Sequence, residues 1–421
     1  MSPTECHAVA DRDALAPTYT PAVSRLRLLP KGLMARGQTS ESGVSTAMPA
    51  MVVLVALTLS ASGRASESLN PSVLRLAVVL VWPLAVYLLA LTGRTWIAAA
   101  YCVAAGAVLR WNNFWPGGSS DVIKAVDEAL RTLFSGGNPY DHYYVSTSPP
   151  GSNMPYPPGQ LLLHLPGWLL GGYDGARLTE LAAAIIGMAV LAWLALRFAP
   201  AVGLVGLALY AGLPNLIQLT GDGSNDTSAG VMVLVAVAVM VGAARRSMTG
   251  RWAGAAGVAV ALMMATKQST LLFAIALSLY VLFVHRTALA HYLAGIFATL
   301  LIVSVPFLLM GPATYIHGVA AIESHGNTYG WNVWILMNQL GWPTPDSLVV
   351  TVVNLFVTID VLVAVAVLCR GGVGAAVLAG ALATLAALLT AQWTSPSYFA
   401  LVLAPLAAIP ALMTWDDGAV A

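Results

Sequence analysis

Apolar segments follow one another along the chain from about residue 48 to residue 413, and only short polar stretches separate them. About twelve segments have the hydropathy of membrane-spanning helices, although several are shorter than the roughly 20 residues that a bilayer requires. They lie near residues 48–62, 73–91, 95–110, 176–196, 200–217, 228–243, 252–266, 269–284, 289–310, 348–369, 373–391 and 396–413. The pattern predicts an all-α polytopic integral membrane protein.

Basic residues indicate the orientation of these segments, because cytoplasmic loops retain Lys and Arg. With the N-terminus inside, the cytoplasmic side receives Arg25, Arg27, Lys31, Arg36, Arg94, Arg197, Arg245, Arg246, Arg251, Arg286 and Arg370. The same topology leaves two long external segments, at 111–175 and 311–347. The polar residues 1–45 are predicted to be a disordered cytoplasmic tail that precedes a membrane domain at 46–415.

Two parts of the first external segment have patterns of their own. Residues 121–134 place apolar side chains at helical spacing, which predicts an extracytoplasmic amphipathic helix lying on the outer membrane interface. Residues 159–171 are apolar but are interrupted by Pro166 and Gly167. This second stretch is therefore expected to be a re-entrant or interfacial piece and not a complete span.

Charge is scarce in this chain, and that scarcity excludes whole classes of protein. Only 9% of the 421 residues are charged, whereas a soluble domain carries about a quarter. The formal net charge of +1 removes the basic excess expected of a nucleic-acid-binding protein. The few charged and polar residues outside the cytoplasmic loops therefore become the candidates for chemistry.

Asp121 is the first candidate, and two interpretations of it remain open. It follows two serines at the predicted start of the amphipathic helix, where the helix dipole favours a carboxylate. The same carboxylate, partly desolvated at a membrane interface, would be a suitable general base. Further along, Asp127 and Glu128 are expected to face water or to pair with Lys124 and Arg131.

The first external segment continues with a turn and a rigid corner. Asn138 begins the turn after two glycines that end the helix, and it fixes the positions of Tyr140 and Asp141. These two side chains could contact a ligand or could only pack the turn. Tyr156 begins a YPPG run, which predicts a rigid extended corner.

A second polar group lies between two of the apolar segments. The run GDGSND contains Asp222, Asn225 and Asp226 but lacks the closing Glu of a calcium loop. A turn that caps the next helix through Asp226 and a contact with a hydroxyl-rich ligand both fit it. Lys267 interrupts two spans on the side where positive charge is disfavoured, so it requires a partner. That partner is either Asp222 or Asp226 in an ion pair, or a ligand phosphate.

The second external segment contains His317, Glu323, His325 and Asn327. Their spacing lacks the helical HExxH pattern of a zinc protease, so no metal site is predicted. A histidine here could hydrogen-bond a phosphodiester or a sugar, or could have no ligand, and the sequence leaves both open.

The order of these motifs is more specific than any one of them. An external Asp, then GGNPYD, YPPG, GDGSND and TKQ, and finally an external loop with His and Asn-x-x-Gly at 327–330 resemble the GT-C superfamily of membrane glycosyltransferases. Within it they resemble the bacterial polyprenyl-phosphate-mannose-dependent mannosyltransferases, over residues 110–400. The chain departs from this pattern in having about three predicted spans before Asp121, whereas related enzymes often begin the external loop soon after the first span.

The resemblance implies an inverting transferase that moves a hexose, with mannose expected, from a polyprenyl phosphate to a lipid-linked or glycan acceptor. Asp121 would deprotonate the acceptor hydroxyl, and Lys267, His325 and Arg131 would bind the donor phosphate. The residues expected to contact sugar or acceptor are Asn138, Tyr140, Asp141, Tyr156, Asn225, Asp226, Gln268 and Asn327.

The resemblance also implies the protein's surroundings. No cofactor or metal is expected, and the partners would be the lipid-linked donor, the acceptor and the bilayer, but not nucleic acid. The active site would face the extracytoplasmic side of a bacterial plasma membrane, where it would serve glycolipid biosynthesis in the cell envelope.

Two alternatives remain at this point. An arabinofuranosyl- or glucosyltransferase would use the same type of carrier, because pocket shape selects the sugar. A non-catalytic transporter or flippase of lipid-linked sugars would instead show polar residues within several spans and two pseudo-symmetric halves. The polar groups of this chain gather in the external segments, which favours an enzyme.

Overall fold

The computed structural model of the protein describes residues 73–114, 119–147, 151–320, 329–343 and 345–415. The predicted tail at 1–45 and the first apolar segment at 48–62 lie outside these ranges. The described residues all belong to one compact unit, Ser42–Ala421.

Helices make up most of the described chain. They are α1 (Val73–Leu91), α2 (Thr95–Phe114), α3 (Asp121–Phe134), α4 (Pro158–Phe198), α5 (Pro200–Gly212), α6 (Pro214–Asp222), α7 (Asp226–Ala244), α8 (Gly250–Thr266), α9 (Leu271–Val284), α10 (Leu289–Met310), α11 (Pro312–Ala320), α12 (Val333–Gln339), α13 (Ser347–Leu368), α14 (Val373–Thr390) and α15 (Tyr398–Leu412). Every apolar segment predicted from 73–91 onward coincides with one of them, except that 200–217 is divided between α5 and α6. The all-α fold class is thereby confirmed.

Short elements connect some of these helices. Single 3₁₀ turns occur at Pro139–Asp141, Gln268–Thr270, Arg286–Ala288 and Cys369–Gly371. Strands β1 (Tyr329–Gly330) and β2 (Trp393–Thr394) pair in parallel, with Gly330 opposite Thr394. Gly330 has φ +95°, and a Cβ there would overlap the Thr394 carbonyl, so this pairing requires glycine.

Several helices are long and apolar enough to cross a membrane. Judged by length and composition over the described residues, these helices are five: α4, α7, α10 with its preceding turn, α13 with its following turn, and α14. The pair α5 and α6, bent by 51°, would form a sixth if it is one span. The protein is thus a multi-pass membrane protein, while the number twelve stays a prediction.

The helices differ in how deeply they are packed. In α15 every side chain from Phe399 to Leu412 is buried, as expected for a helix that is apolar all round and surrounded by others. In α13, by contrast, Val350 and Val365 are the buried side chains among those described. Helix α13 therefore lies at the edge of the bundle.

Helix α4 folds back on itself. Its backbone leaves the helical conformation at Gly171 and Gly172, where φ is −150° and +57°. A Cβ added at Gly167 or at Gly175 would collide with the other glycine's carbonyl, so residues 158–170 return along residues 173–198 at backbone contact. This geometry agrees with the re-entrant piece predicted at 159–171.

Gly175→Val is expected to destabilise the protein by about 1–3 kcal/mol, because its side chain would overpack the crossing point of this hairpin. Thermal unfolding in detergent measures the effect. Gly171→Ala is the control, since a Cβ there meets no heavy atom within 4 Å and its φ is negative. Equal midpoints for the two variants would contradict the close crossing.

Candidate active site

Asp121 lies where two helices meet. It is the first residue of α3, which forms over the predicted range, and the preceding Ser120 caps the helix by accepting from Val122 N. The Asp121 carboxylate also accepts from Val122 N at 2.9 Å, and the Ser120 amide donates to the Asp222 carbonyl at 2.8 Å. The Ser120 hydrogen bond places Asp121 beside the end of α6, where Asp121 is half-buried.

The turn between α6 and α7 is ordered by its own polar groups. Gly223 ends α6 in the left-handed region at φ +83°, and Ser224 N then donates to Asp222 Oδ1 at 2.9 Å. Ser224 Oγ donates to Asp226 Oδ2 at 3.2 Å. Asn225 occupies the N-cap position, which the sequence had assigned to Asp226, and Asp226 is the first residue of α7.

Lys267 extends into this turn from the end of α8. Its ammonium contacts Asp226 Oδ1 at 2.5 Å and Asn225 Oδ1 at 3.0 Å, and all three residues are buried. The same nitrogen lies 4.7 Å from the Tyr398 ring centroid and 5.7 Å from that of Tyr156, within reach of cation–π attraction. Of the partners that the sequence left open, the structure provides Asp226.

Two residues of α4 form hydrogen bonds to the two ends of the α6–α7 turn. Arg177 donates to the carbonyls of Phe114 and Gly221, at the ends of α2 and α6. Glu180, one helical turn further on, accepts from Ser228 N at 2.8 Å and so satisfies an amide in the first turn of α7. The α6–α7 turn is thus fixed at both ends by one face of α4.

A buried polar pair joins the two halves of α4. His164 Nε2 lies 2.9 Å from Glu180 Oε1, with both side chains fully buried, and His164 Nδ1 lies 2.9 Å from the Gln160 carbonyl. None of these residues was predicted from the sequence to belong to the site, nor was Arg110, which is buried and donates to the Tyr210 and Ala211 carbonyls. Charges within or beside apolar segments were the available signal, because such residues are costly unless paired.

The turn after α3 connects to the same region through Tyr140. Asn138 Oδ1 accepts from Tyr140 N at 2.9 Å, and Tyr140 OH donates to the Tyr156 carbonyl at 2.8 Å. Burial raises the pKa of Tyr140 well above its ordinary value, so the phenol stays protonated and remains a donor. Next to Tyr156, the Pro155 carbonyl accepts from Gln268 Nε2 at 2.6 Å.

Other residues predicted for the site lie far from Asp121, are exposed, or fall outside the described residues. Arg131 is on α3 about 15 Å along the axis from Asp121, and it pairs with Asp127 at 3.0 Å with 64% of its side chain exposed. Asp141 is exposed. His325 and Asn327 lie outside the described residues.

The expected pairing of the acidic residues on α3 needs one revision. Asp127 pairs with Arg131, four residues along, and also accepts from Trp168 Nε1 at 2.8 Å. Glu128 instead contacts His142 Nε2 at 2.7 Å, because the turn after α3 brings that histidine back over the helix. Within the described ranges, no group of three or more His, Cys, Asp or Glu side chains is arranged to hold a metal ion.

Part of the chain is similar to a known protein family. Residues 170–309, about a third of the chain, match the family model described as dolichyl-phosphate-mannose-protein mannosyltransferase. The matched range includes Arg177, Glu180, Asp226 and Lys267, whereas no curated protein matches the chain. Together with the apolar helices, the match confirms the resemblance to membrane glycosyltransferases of the GT-C type that was drawn from the motifs.

Proposed function

We propose that the protein transfers a hexose, mannose in the first instance, from a polyprenyl-phosphate sugar to a lipid-linked or glycan acceptor on the extracytoplasmic face of a bacterial plasma membrane. The observation that carries the proposal is the position of Asp121. This half-buried carboxylate begins an amphipathic helix, and the amide of the preceding Ser120 donates to the Asp222 carbonyl. Asp222 belongs to the polar turn at 222–226, which lies within the range that matches the mannosyltransferase family.

In the proposed reaction the acceptor hydroxyl gives its proton to the Asp121 carboxylate. Its oxygen forms a bond to C1 of the sugar as the bond from C1 to the phosphate oxygen breaks, so the anomeric configuration is inverted. The electron pair of that bond leaves with the polyprenyl phosphate, whose added negative charge requires a cation or hydrogen-bond donors. The acceptor and the donor both reach the site from the bilayer.

The buried contacts of Lys267 favour a structural role for this residue in the site over direct binding of the donor phosphate. Asp226 neutralises its ammonium at 2.5 Å, which weakens the field that it would exert on a donor phosphate. We therefore assign Lys267 to holding the 222–226 turn beside Asp121. Lys124 is exposed and lies one helical turn after Asp121, about 5 Å along the axis. It joins His325 as a candidate for the phosphate, ahead of the more distant Arg131.

The arrangement of basic residues supports an extracytoplasmic site. Arg245, Arg246 and Arg251 surround the α7–α8 connection, whereas Lys267 follows the other end of α8. Helix α8 has 17 residues, which corresponds to about 25 Å. The arginine-rich loop and the polar turn are therefore separated by most of a bilayer, and the positive-inside rule assigns the arginines to the cytoplasm.

Cysteine labelling tests this orientation. In a Cys6→Ser background, Tyr143→Cys, in the loop after α3, is expected to react with a membrane-impermeant maleimide added to intact cells. Thr249→Cys is expected to react only after permeabilisation. Both positions are exposed, whereas Cys102 and Cys369 are buried and should stay unlabelled. The reverse pattern would contradict the extracytoplasmic site.

Sugar transfer is tested with the purified protein in proteoliposomes that contain radiolabelled polyprenyl-phosphate-mannose. Glycolipid, glycan and peptide acceptors are supplied separately, the peptide because the matched family acts on proteins. The expected result is labelled product in a lipid or glycan fraction. Product formed only with the arabinofuranose or glucose donor would mean that the protein transfers that sugar and not mannose. A labelled peptide would mean that the acceptor is a protein. Movement of intact donor across the bilayer without any product would reject the transferase.

A further inference from the structure

Helix α13 exposes a long apolar stripe that contains a single carboxylate. The exposed apolar side chains that form the stripe are Val352, Phe356, Ile359, Val363 and Val367. Asp360 lies within the stripe, is exposed, and makes no hydrogen bond or ion pair within the described residues. The face that carries it is directed away from the bundle, because α13 lies at the edge and buries Val350 and Val365 toward its neighbours.

Asp360 is at mid-membrane depth if α13 spans the bilayer. The candidate span is Ser347–Gly371, whose central residue is Ile359, so Asp360 is about 1.5 Å from the centre along the axis. A carboxylate that faces lipid at this depth is costly, and intramembrane ionisable residues normally have a partner. The apolar positions around it have the spacing of a helix-packing surface.

We infer that this stripe docks a transmembrane helix of a partner protein that carries Lys, Arg or a protonated His at mid-membrane depth, where it pairs with Asp360. The inference is independent of the proposed function. Charge complementarity identifies the occupant, because a basic group within the apolar contact would neutralise the carboxylate where water cannot.

Other possible occupants of the α13 stripe would not neutralise the Asp360 carboxylate. A second copy that docked through the same stripe would place two Asp360 carboxylates against each other. Amine headgroups of lipids lie roughly 15 Å away, at the edge of the hydrocarbon core, and a polyprenyl phosphate carries the wrong sign. The chain's own apolar segment at 48–62 contains no Lys, Arg or His.

Photo-crosslinking in the native membrane tests the inference on the full chain. A photoreactive phenylalanine analogue replaces Phe356 or Val363, which flank Asp360 on the stripe, and Leu301 on α10 serves as the exposed control. The expected adduct contains a partner peptide with a basic residue inside an apolar segment. Its yield should fall about tenfold in Asp360→Leu, and the control position should give no such adduct.

Charge exchange completes the test. Asp360→Lys should also abolish the adduct, and replacing the partner's basic residue with Asp should restore it. Leucine makes the stripe uniformly apolar, so Asp360→Leu is expected to insert and fold, which thermal unfolding verifies. Adducts only with lipid, with α13 of a second copy or with residues 48–62 would overturn the inference. So would an undiminished yield in Asp360→Leu, or a charge exchange that fails to restore the adduct.

Discussion

Asp121→Asn is expected to lower kcat/KM for sugar transfer by about 10²–10⁴-fold, because an amide cannot accept the acceptor's proton. The substitution keeps the shape of the side chain and an oxygen that can still accept from Val122 N, so helix α3 should start at the same residue. Initial rates with polyprenyl-phosphate-mannose in proteoliposomes measure the loss, and thermal unfolding verifies that the variant is folded.

Asp346→Asn is the matched control for this variant. Asp346, the N-cap of α13, is likewise a carboxylate at the start of a helix, but it is exposed and its side chain makes no capping hydrogen bond. It should transfer sugar at the wild-type rate. If Asp121→Asn also retained that rate, Asp121 would be only a helix-start charge and the proposed base would be wrong.

Lys267→Met is expected to cost about 3–5 kcal/mol of unfolding free energy, because it leaves the Asp226 carboxylate buried without a counter-charge. Asp226 is 1% exposed, and the Ser224 hydroxyl that remains beside it is neutral. Thermal and denaturant unfolding in detergent measure the loss. A small loss of stability would contradict the buried ion pair between Lys267 and Asp226.

A double variant separates the structural role of Lys267 from a role in donor binding. Asp226→Asn combined with Lys267→Met removes both charges together and should recover most of the lost stability. If Lys267 acts by holding the turn, transfer should recover in parallel. If Lys267 binds the donor phosphate, the double variant should be stable while its KM for the donor stays raised.

The helices were predictable from sequence because hydropathy alone locates apolar segments. The amphipathic helix at 121–134 was also predictable, since its start depends on a local cap and its face on helical periodicity. The reversal within α4 was suggested by Pro166 and Gly167, yet the backbone turns at Gly171 and Gly172. Glycine permits such a turn but does not show which of several glycines will make it.

The partners within the site were less predictable. Lys267 and Asp226 are about forty residues apart, and the sequence could say only that an intramembrane lysine requires a partner. Arg177 and Glu180 are close in sequence, but the carbonyl and amide that they contact belong to other helices. Such contacts follow from tertiary packing, which local patterns do not specify.

The placement of Arg177 and Glu180 on one face of α4 has a mechanical consequence. One residue holds the end of α6 and the other the start of α7, so the polar turn is fastened to a single helix. The amide of Ser120, in turn, is fastened to Asp222. A tilt or rotation of α4, such as a long lipid substrate could impose when it enters beside it, would therefore carry the turn and the first residue of α3 along as one unit. The distance between Asp121 and the Lys267–Asp226 pair would be preserved while the whole unit moves relative to the bilayer.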